Sequence, residues 1–399
     1  MVDSWSEALR ALDPAHADYA TRFVDALLTA GRARGASDLH LQPTPDGLEL
    51  RWRVDGVLVP LGTFPPGVGA NVIARLKVLA GLLTYRNDVP QEGRLCDARP
   101  DEEVRVCTFP TLYGERAVVR LFQHRHELRR LDALGLPAEI ETRLAALLNQ
   151  TAGAVLVVGP AGSGKTTTLY ACLERLARAN PPRSIVTLED PIEMAIAGVT
   201  QSQVRPDSGF DLADGLRSVL RQDPEVIMIG EIRDATTAQV ALQASLTGQL
   251  VLSSFHAGSA AEALARLLDM GLEPYMLTSG VLAVVFQRLV RKLCRCARSA
   301  TSDELLGFSV RQARAAVGCA DCNQTGYVGR GLIAEMITLA DPAVAQGVLE
   351  RVDVAELERR AVQGGMFNRH ARALAAVESG WTSPGEIRRV LGFGENSRQ

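Results

Sequence analysis

No apolar run in this sequence approaches the roughly 20 residues a helix needs to cross a bilayer. Val281-Leu282-Ala283-Val284-Val285-Phe286 is far too short. Met1 to Ala20 carry Asp3, Glu7, Asp13 and Asp18 with no apolar core, which excludes a secretory leader. Excess charge of one sign is also lacking: 43 Lys and Arg against 46 Asp and Glu leave a formal net charge of −3. There is therefore no chain-wide nucleic-acid signature, and any basic surface is local. Internal repeats and low-complexity tracts are absent. These absences read as a cytoplasmic protein that touches a membrane only through partners. The 7 cysteines among 399 residues then argue against a disulfide framework. Cys96, Cys107 and Cys172 read as small apolar packing residues, and the other four cluster late. Apolar residues at 47% and charged residues at 22% are ordinary for a globular chain of about two or three domains.

Asp13-Pro14 has the form of a helix cap followed by proline at the first helical position. The helix it predicts carries Tyr19, Phe23, Leu27 and Ala30 on one face and stops near Gly35. Alternation at period two follows through Leu39 and Leu41, then Leu48, Leu50, Trp52 and Val54, with Asp55-Gly56 as a hairpin signal before Val57. A helix with Val72, Leu76, Leu79 and Leu83 on one face comes next, then alternation through Val104 and Val106 and near Val119 and Leu121. Residues 13–126 thus read as a small α+β domain, with the charged stretch His124–Arg130 marking a linker set at 127–135. Residues 136–399 open with a helix around Pro137 to Asn149. They then alternate helices with strands at Ala154–Val158, Ile185–Leu188, Val226–Ile229 and Leu250–Phe255, the pattern of an α/β domain with a mostly parallel sheet. Ligands of such sheets bind at the carboxyl ends of the strands.

The first of those ends is Gly159-Pro160-Ala161-Gly162-Ser163-Gly164-Lys165-Thr166, followed by Thr167 and a helix to Ala179. It fits G-x-x-x-x-G-K-[ST] at every fixed position and has the strand before and the helix after that the motif requires. Glycines let backbone N–H groups close around phosphates at a helix N-terminus, whose dipole favours anions. In this reading Lys165 reaches the β and γ phosphates and Thr166 holds Mg²⁺.

Glu189, Asp190 and Glu193 follow the next strand; they bind magnesium or orient water, or else form a solvated, helix-capping acidic turn. Val226-Ile227-Met228-Ile229 runs into Gly230-Glu231, a Walker-B-type strand whose acid follows a glycine. A phosphate loop, a metal and one or two carboxylates are the parts phosphoryl transfer requires. His256, after Leu250–Phe255, is either structural or placed to sense a γ-phosphate. Cys294, Cys296, Cys319 and Cys322 form two close pairs that suit a tetrahedral structural Zn²⁺, although the first pair is C-x-C, one residue tighter than usual. Arg288, Arg291, Lys292, Arg295 and Arg298 lead into that cluster. They read as a surface for nucleic acid or acidic headgroups, or as a solvated or partner-facing one. No aromatics interleave as stacking platforms, which counts against single-strand binding.

Together these residues resemble the secretion-superfamily ATPases of type II secretion and type IV pilus assembly, from roughly Tyr19 to Val390. The similarity rests on Ala36–Leu41, Arg51–Gly56, Pro90–Arg94, Gly114–Arg116, the acidic segment Thr187–Glu193, the Walker B region Leu216–Asp234, the histidine segment Leu246–His256, and the tetracysteine segment with Gly326–Arg330 behind it. The tetracysteine segment is similar to assembly and secretion members rather than retraction motors. The resemblance implies a RecA-like P-loop ATPase domain behind a smaller N-terminal α+β, PAS-like domain, with a tetracysteine insertion at 290–330 and a helical tail. It further implies a hexameric motor with ATP between the two domains, held at Gly159–Thr167. Thr166, Glu189 and Glu231 would be Mg²⁺ ligands, Glu193 and Glu231 would divide water activation and metal positioning, and His256 would sense the γ-phosphate. Arg94 and Arg105 are the expected arginines from the N-terminal domain, suited by fixed charge and a fork that matches phosphate oxygens.

Several positions depart from the family pattern. Gln249 stands where a histidine is usual, Ala161 lies within the loop at a backbone-only position, and the first cysteine pair is short. The domain that docks many relatives to their membrane partner is expected to be missing. The implied function is Mg²⁺-ATP hydrolysis driving type II secretion at the cytoplasmic face of the inner membrane, through platform and recruitment proteins and with no specific nucleic acid. The alternatives are a type IV pilus-assembly or DNA-uptake pilus ATPase, a nucleic-acid translocase, and a nucleotide-gated scaffold without turnover.

Overall fold

Period-two patterning and two-residue turns build the first body. A computed structural model describes residues 8–95, 102–123, 130–205 and 208–392. The chain divides into two compact units, residues 1–125 and 126–399. In the first, α1 (Tyr19–Ala33) precedes β1 (Ala36–Thr44), β2 (Gly47–Val54), β3 (Val57–Phe64), α2 (Val68–Leu79), β4 (Gln91–Arg94), β5 (Glu102–Thr111) and β6 (Gly114–Gln123). The strands form one antiparallel sheet in the order β3-β2-β1-β6-β5-β4. Val54 pairs with Val57 around Asp55 and Gly56, whose φ values of 47° and 82° are those of the tight turn the dipeptide announced. Phe23, Leu27, Leu39, Leu50, Val72, Val106 and Val119 are buried between this sheet and the helices. Lys77 is buried with them, its Nζ donating to both Glu115 oxygens at 2.9 Å, to Arg86 O and to Asn87 Oδ1, so the buried charge is fully bonded.

Three readings of this unit are corrected. Asp13 caps a turn, accepting from the Ala15 N–H at 2.9 Å, and the helix starts only at Tyr19. α2 ends at Leu79 because Gly81 (φ 67°) takes the left-handed conformation that stops helices, so Leu83 is exposed. Cys107 is exposed rather than packed, since Val104, Val106 and Thr108 take the inward positions of β5. Cys96 lies outside the described residues, as do 124–129, which include the first three residues of the expected linker. Leu131 and Leu134, also placed in the linker, are buried in the core of the second unit.

That unit contains α3 (Ala138–Leu147), β7 (Gly153–Val158), α4 (Lys165–Ala177), β8 (Ile185–Glu189), β9 (Thr200–Gln203), α5 (Leu212–Val219), β10 (Val226–Ile229), α6 (Ala235–Leu246), β11 (Leu250–Phe255), α7 (Ala260–Asp269), α8 (Pro274–Gly280) and β12 (Val281–Leu293). A ribbon of β13 (Arg298–Ser299) and β14 (Arg314–Ala315), then β15 (Tyr327–Thr338) and α9 (Pro342–Leu349), α10 (Val354–Gln363), α11 (Arg369–Glu378) and α12 (Pro384–Leu391), complete it. The sheet order is β15-β12-β7-β11-β10-β8-β9, parallel except for the edge strand β15. Every residue of β7, β10 and β11 is buried. Each Val or Leu so placed contributes roughly 1.5–3 kcal/mol, and burial on both faces explains their unbroken apolar runs. Leu156, Val158 and Phe286 face the core under α6 and α7, while Val155, Val157 and Val285 face the one under α3 and α4. This arrangement fixes the carboxyl ends of β7, β8, β10 and β11 side by side.

Candidate active site

The phosphate-loop motif connects β7 to α4, and its glycines do specific work. Gly159 has φ 150°, and a Cβ there would lie 2.5 Å from Gln287 O; Gly164 has φ 92° at the residue before α4. Larger residues would therefore push the loop off the sheet. Lys165 is buried, its Nζ donating to Gly159 O at 2.9 Å and to Pro160 O at 3.1 Å. Burial pulls its pKa below the ordinary lysine value, and the Glu231 carboxylate opposes that shift. Thr166 is exposed in the first turn of α4.

Glu231 and His256 come together at the neighbouring strand ends. Ser253 and Ser254 donate to Ile229 O and Gly230 O at 2.8 and 2.7 Å, and the Ile232 N–H donates to Ser254 O, which fixes the Glu231 turn against β11. His256 Nε2 lies 2.6 Å from Glu231 Oε1, and its Nδ1 lies 3.4 Å from Lys165 Nζ. Arg233 Nε donates to Glu231 Oε2 at 2.9 Å and its other arm reaches Asp190 Oδ2 at 3.2 Å. Arg266 donates to the His256 carbonyl and lies over the Phe255 ring. A chain of close polar contacts thus runs from Lys165 through His256 and Glu231 to Arg233 and Asp190, its last two links being the hydrogen bonds that Arg233 donates.

Glu189 is not part of it. It is 3% exposed, with Oε2 accepting from the Tyr170 hydroxyl and Oε1 from Thr187 Oγ1 at 2.5 Å and Gln201 Nε2 at 3.0 Å. Both oxygens are engaged inside the core, so the expected metal-ligand role for Glu189 is corrected to a structural one. Burial, reinforced by the Glu189 carboxylate, pushes the Tyr170 phenol far above its ordinary pKa, keeping it a hydrogen donor. The same hydroxyl accepts from the Glu193 N–H at 3.1 Å and so orients the loop that carries Glu193. None of Glu189, Asp190 and Glu193 serves as a helix cap. Arg94 and Arg105 pair across β4 and β5 and therefore share one face of the first sheet.

The four late cysteines converge. All their Sγ atoms lie within 4.8 Å of one another, with Cys294–Cys319 at 3.7 Å, Cys296–Cys322 at 3.9 Å and Cys319–Cys322 at 3.8 Å. A tetrahedron of thiolates around zinc has edges of about 3.8 Å, so the C-x-C pair fits as well as C-x-x-C would. Burial raises the Cys322 thiol pKa, but N–H donors from Cys319 and Gly326 outweigh it and bring the value to about 7.

The basic run is engaged by neighbours of its own unit, while Lys292, Arg295 and Arg298 remain exposed. Arg288 Nε donates to Val390 O. Arg291 is bonded to Glu386 at 2.8 Å and lies over Tyr327, and Lys292 lies over Trp381. Arg295 and Arg298 pair with Asp321 and Glu304. Sequence reasoning missed Arg233 and Gln287. Arg233 stood inside the quoted Walker B region, whereas Gln287 was hidden in an apolar run.

This arrangement is that of a P-loop ATPase sheet, and residues 14–389 match the family described as "Type II/IV secretion system protein". The chain belongs to that family. It is 41% identical over 396 residues to the type II secretion system protein HxcR of Pseudomonas aeruginosa, covering 98% of this chain and 81% of that protein. It is 35% identical over 380 residues to the type IV pilus assembly ATPase PilB of Thermus thermophilus, covering 92% of this chain and 42% of the relative. Among solved structures, the ATPase DotB of Legionella pneumophila superposes with a TM-score of 0.67 at 21% identity, covering 92% of this chain and 95% of DotB. That likeness is one of fold, and it agrees with the RecA-like expectation. No helix among the described residues is long and apolar enough to cross a membrane.

Proposed function

We propose that this family member is a Mg²⁺-dependent ATPase working as a homohexameric motor of type II secretion, assembling a pseudopilus at the cytoplasmic face of the inner membrane through platform and recruitment proteins. The observation that carries the reading is the convergence of Lys165, His256 and Glu231 at the mouth of the phosphate loop. Loop N–H groups and the α4 N-terminus receive the phosphates. Lys165 exchanges its loop carbonyls for phosphate oxygens. Glu231, oriented by Arg233, takes the proton of the attacking water or aligns it, with Glu193 as the second carboxylate. His256 contacts the γ-phosphate and passes its presence to Glu231. Arg94 and Arg105, side by side on β4 and β5, are the arginine candidates of the N-terminal unit. Thr166 and Glu231 offer the hard oxygen donors that suit Mg²⁺, which when bound neutralises charge on the β and γ phosphates. The four cysteines would hold Zn²⁺ as a structural clip, since four thiolates leave no open coordination position.

A second reading, pilus assembly, is favoured by the similarity to the pilus assembly ATPase PilB. Two measurements decide. Purified protein should release phosphate from Mg-ATP while Lys165→Ala does not; an assembled wild-type ring with no detectable release returns the chain to a nucleotide-gated scaffold. Deleting the gene in its host and scoring exoproteins beside surface filaments then separates secretion from pilus assembly.

A further inference from the structure

We propose that Gln287 is a positioning residue for the phosphate loop, setting which way the loop's peptide groups face; this rests on reading the loop as a nucleotide site. Gln287 sits on β12 with no exposed surface, among Val284, Val285, Phe286 and Val290. A buried primary amide is costly unless bonded at both ends. Here Nε2 donates to Ser163 O at 2.9 Å, and Oε1 accepts from Thr168 Oγ1 at 2.8 Å. The amide orientation is fixed by chemistry, because the Ser163 carbonyl can only accept.

Ser163 lies inside the loop and Thr168 in the first turn of α4, so one side chain grips both limbs. In a trans peptide the C=O and N–H point in opposite directions. Holding Ser163 O toward β12 therefore turns the Gly164 N–H away from β12, toward the side on which an anion would sit. The backbone contributes as well: Gln287 O lies 2.5 Å from where a Gly159 Cβ would be, and Nε2 lies 3.1 Å from where a Gly164 Cβ would be. Phe286 pairs with Val158, the last residue of β7, which holds this strand in place directly beneath the loop.

The test uses the full-length protein, a fluorescent ADP analogue, and three variants. Gln287→Met keeps length and volume but removes donor and acceptor. Its Kd for ADP should rise about tenfold or more, the cost of leaving Ser163 O and the Thr168 hydroxyl without partners. Gln287→Glu loses the donor when ionised and regains it when protonated, because a neutral carboxyl again donates to Ser163 O and accepts from Thr168. Burial raises the pKa of such a carboxyl, so its affinity relative to wild type should recover as pH falls from about 8 to 6. Taking the ratio to wild type at each pH cancels the contribution of Lys165 and His256, the ionisable side chains near the same loop. Thr168→Val, isosteric and missing one bond, should weaken ADP by about threefold and serves if the Met variant does not fold.

A role confined to stability would lower Tm and leave Kd and its pH dependence unmoved. ADP affinity within twofold of wild type in the folded Met variant overturns the proposal, as does a pH-independent loss in the Glu variant. Because ADP binding needs no turnover, a chain that binds ADP but does not hydrolyse ATP would sink the motor reading and leave this one standing. A wild-type chain that binds no ADP sinks both.

Discussion

His256 Nε2 lies 2.6 Å from Glu231 Oε1 on the adjacent strand end. The other ring nitrogen faces Lys165 Nζ at 3.4 Å, so the imidazole stands between the loop's cation and the Walker B carboxylate. In the proposed mechanism a group in that position would register whether Lys165 is held by loop carbonyls or by phosphate, and would report through its contact with Glu231. The proposed sensor and the proposed water-handling carboxylate are one contact apart.

Glu231→Gln keeps the side chain's shape and removes its basicity. ATP should still bind within a fewfold of wild type while kcat falls by about a hundredfold or more, the loss expected for a general base. Nucleotide binding and phosphate release measured on the same preparation check this, and a variant that hydrolyses at the wild-type rate removes Glu231 from the mechanism. Arg233→Ala, which frees one Glu231 oxygen and Asp190, should lower kcat by about tenfold with less effect on KM.

The cysteine cluster predicts zinc in stoichiometric amount in freshly purified protein. Cys322→Ser should lose the metal and lower Tm, because the clip joins the ends of β12 and β15 to the segment between them. Metal analysis beside thermal melts decides the matter. A metal-free wild type that melts at the same temperature after zinc addition would show that the thiols do not form a metal site.

Glu386 gives a pH-dependent prediction. Burial works to raise its pKa, but bonds from Arg389, Arg291 and the Arg291 N–H win, and the value lies below the ordinary 4.5. A depressed carboxylate pKa supplies stability that is present above the unfolded value and lost as pH falls through the folded one. Gln at this position should cost on the order of 2–4 kcal/mol at neutral pH, because it leaves Arg291 without its charged partner in the interior. The gap between variant and wild-type melts should then narrow below about pH 4.5. A gap that stays constant down to acid unfolding would assign the loss to packing instead.

Added DNA should leave ATP turnover unchanged. The five basic residues from Arg288 to Arg298 are engaged by carboxylates, a carbonyl or aromatic rings of the same unit. Stimulation by DNA that weakens steeply with salt would instead reveal phosphate contacts and support the translocase alternative.

What the sequence made legible were features whose spacing is dictated by local backbone chemistry. The phosphate loop, the apolar strand before Glu231 and the cysteine pairs could be read one by one because each is complete within a few residues. Glu189 could not, since its fate depends on Tyr170, contributed by a helix earlier in the chain. Gln287 was invisible for a related reason: a single polar residue in an apolar strand shows its purpose only when the loop it supports is laid against it. The basic run appeared as a charge cluster because its partners Glu386, Tyr327 and Trp381 come from segments well after it. Cys107 was legible by parity, since placing Val104 and Val106 inward already turned it out.

The 13 residues of β12 begin beside β7 and end one residue before Cys294. A strand rises about 3.3 Å per residue, so Gln287 under the phosphate loop and the cysteine knot stand about 23 Å apart on a single rod. β7 pairs with this strand only as far as Phe286; from Gln287 onward β15 alone pairs with it, and the ladder shifts register between Arg291 and Leu293. Opening or closing of the nucleotide mouth should therefore reach the cysteine cluster through a two-stranded ribbon, with that register shift as the place where the stroke is absorbed.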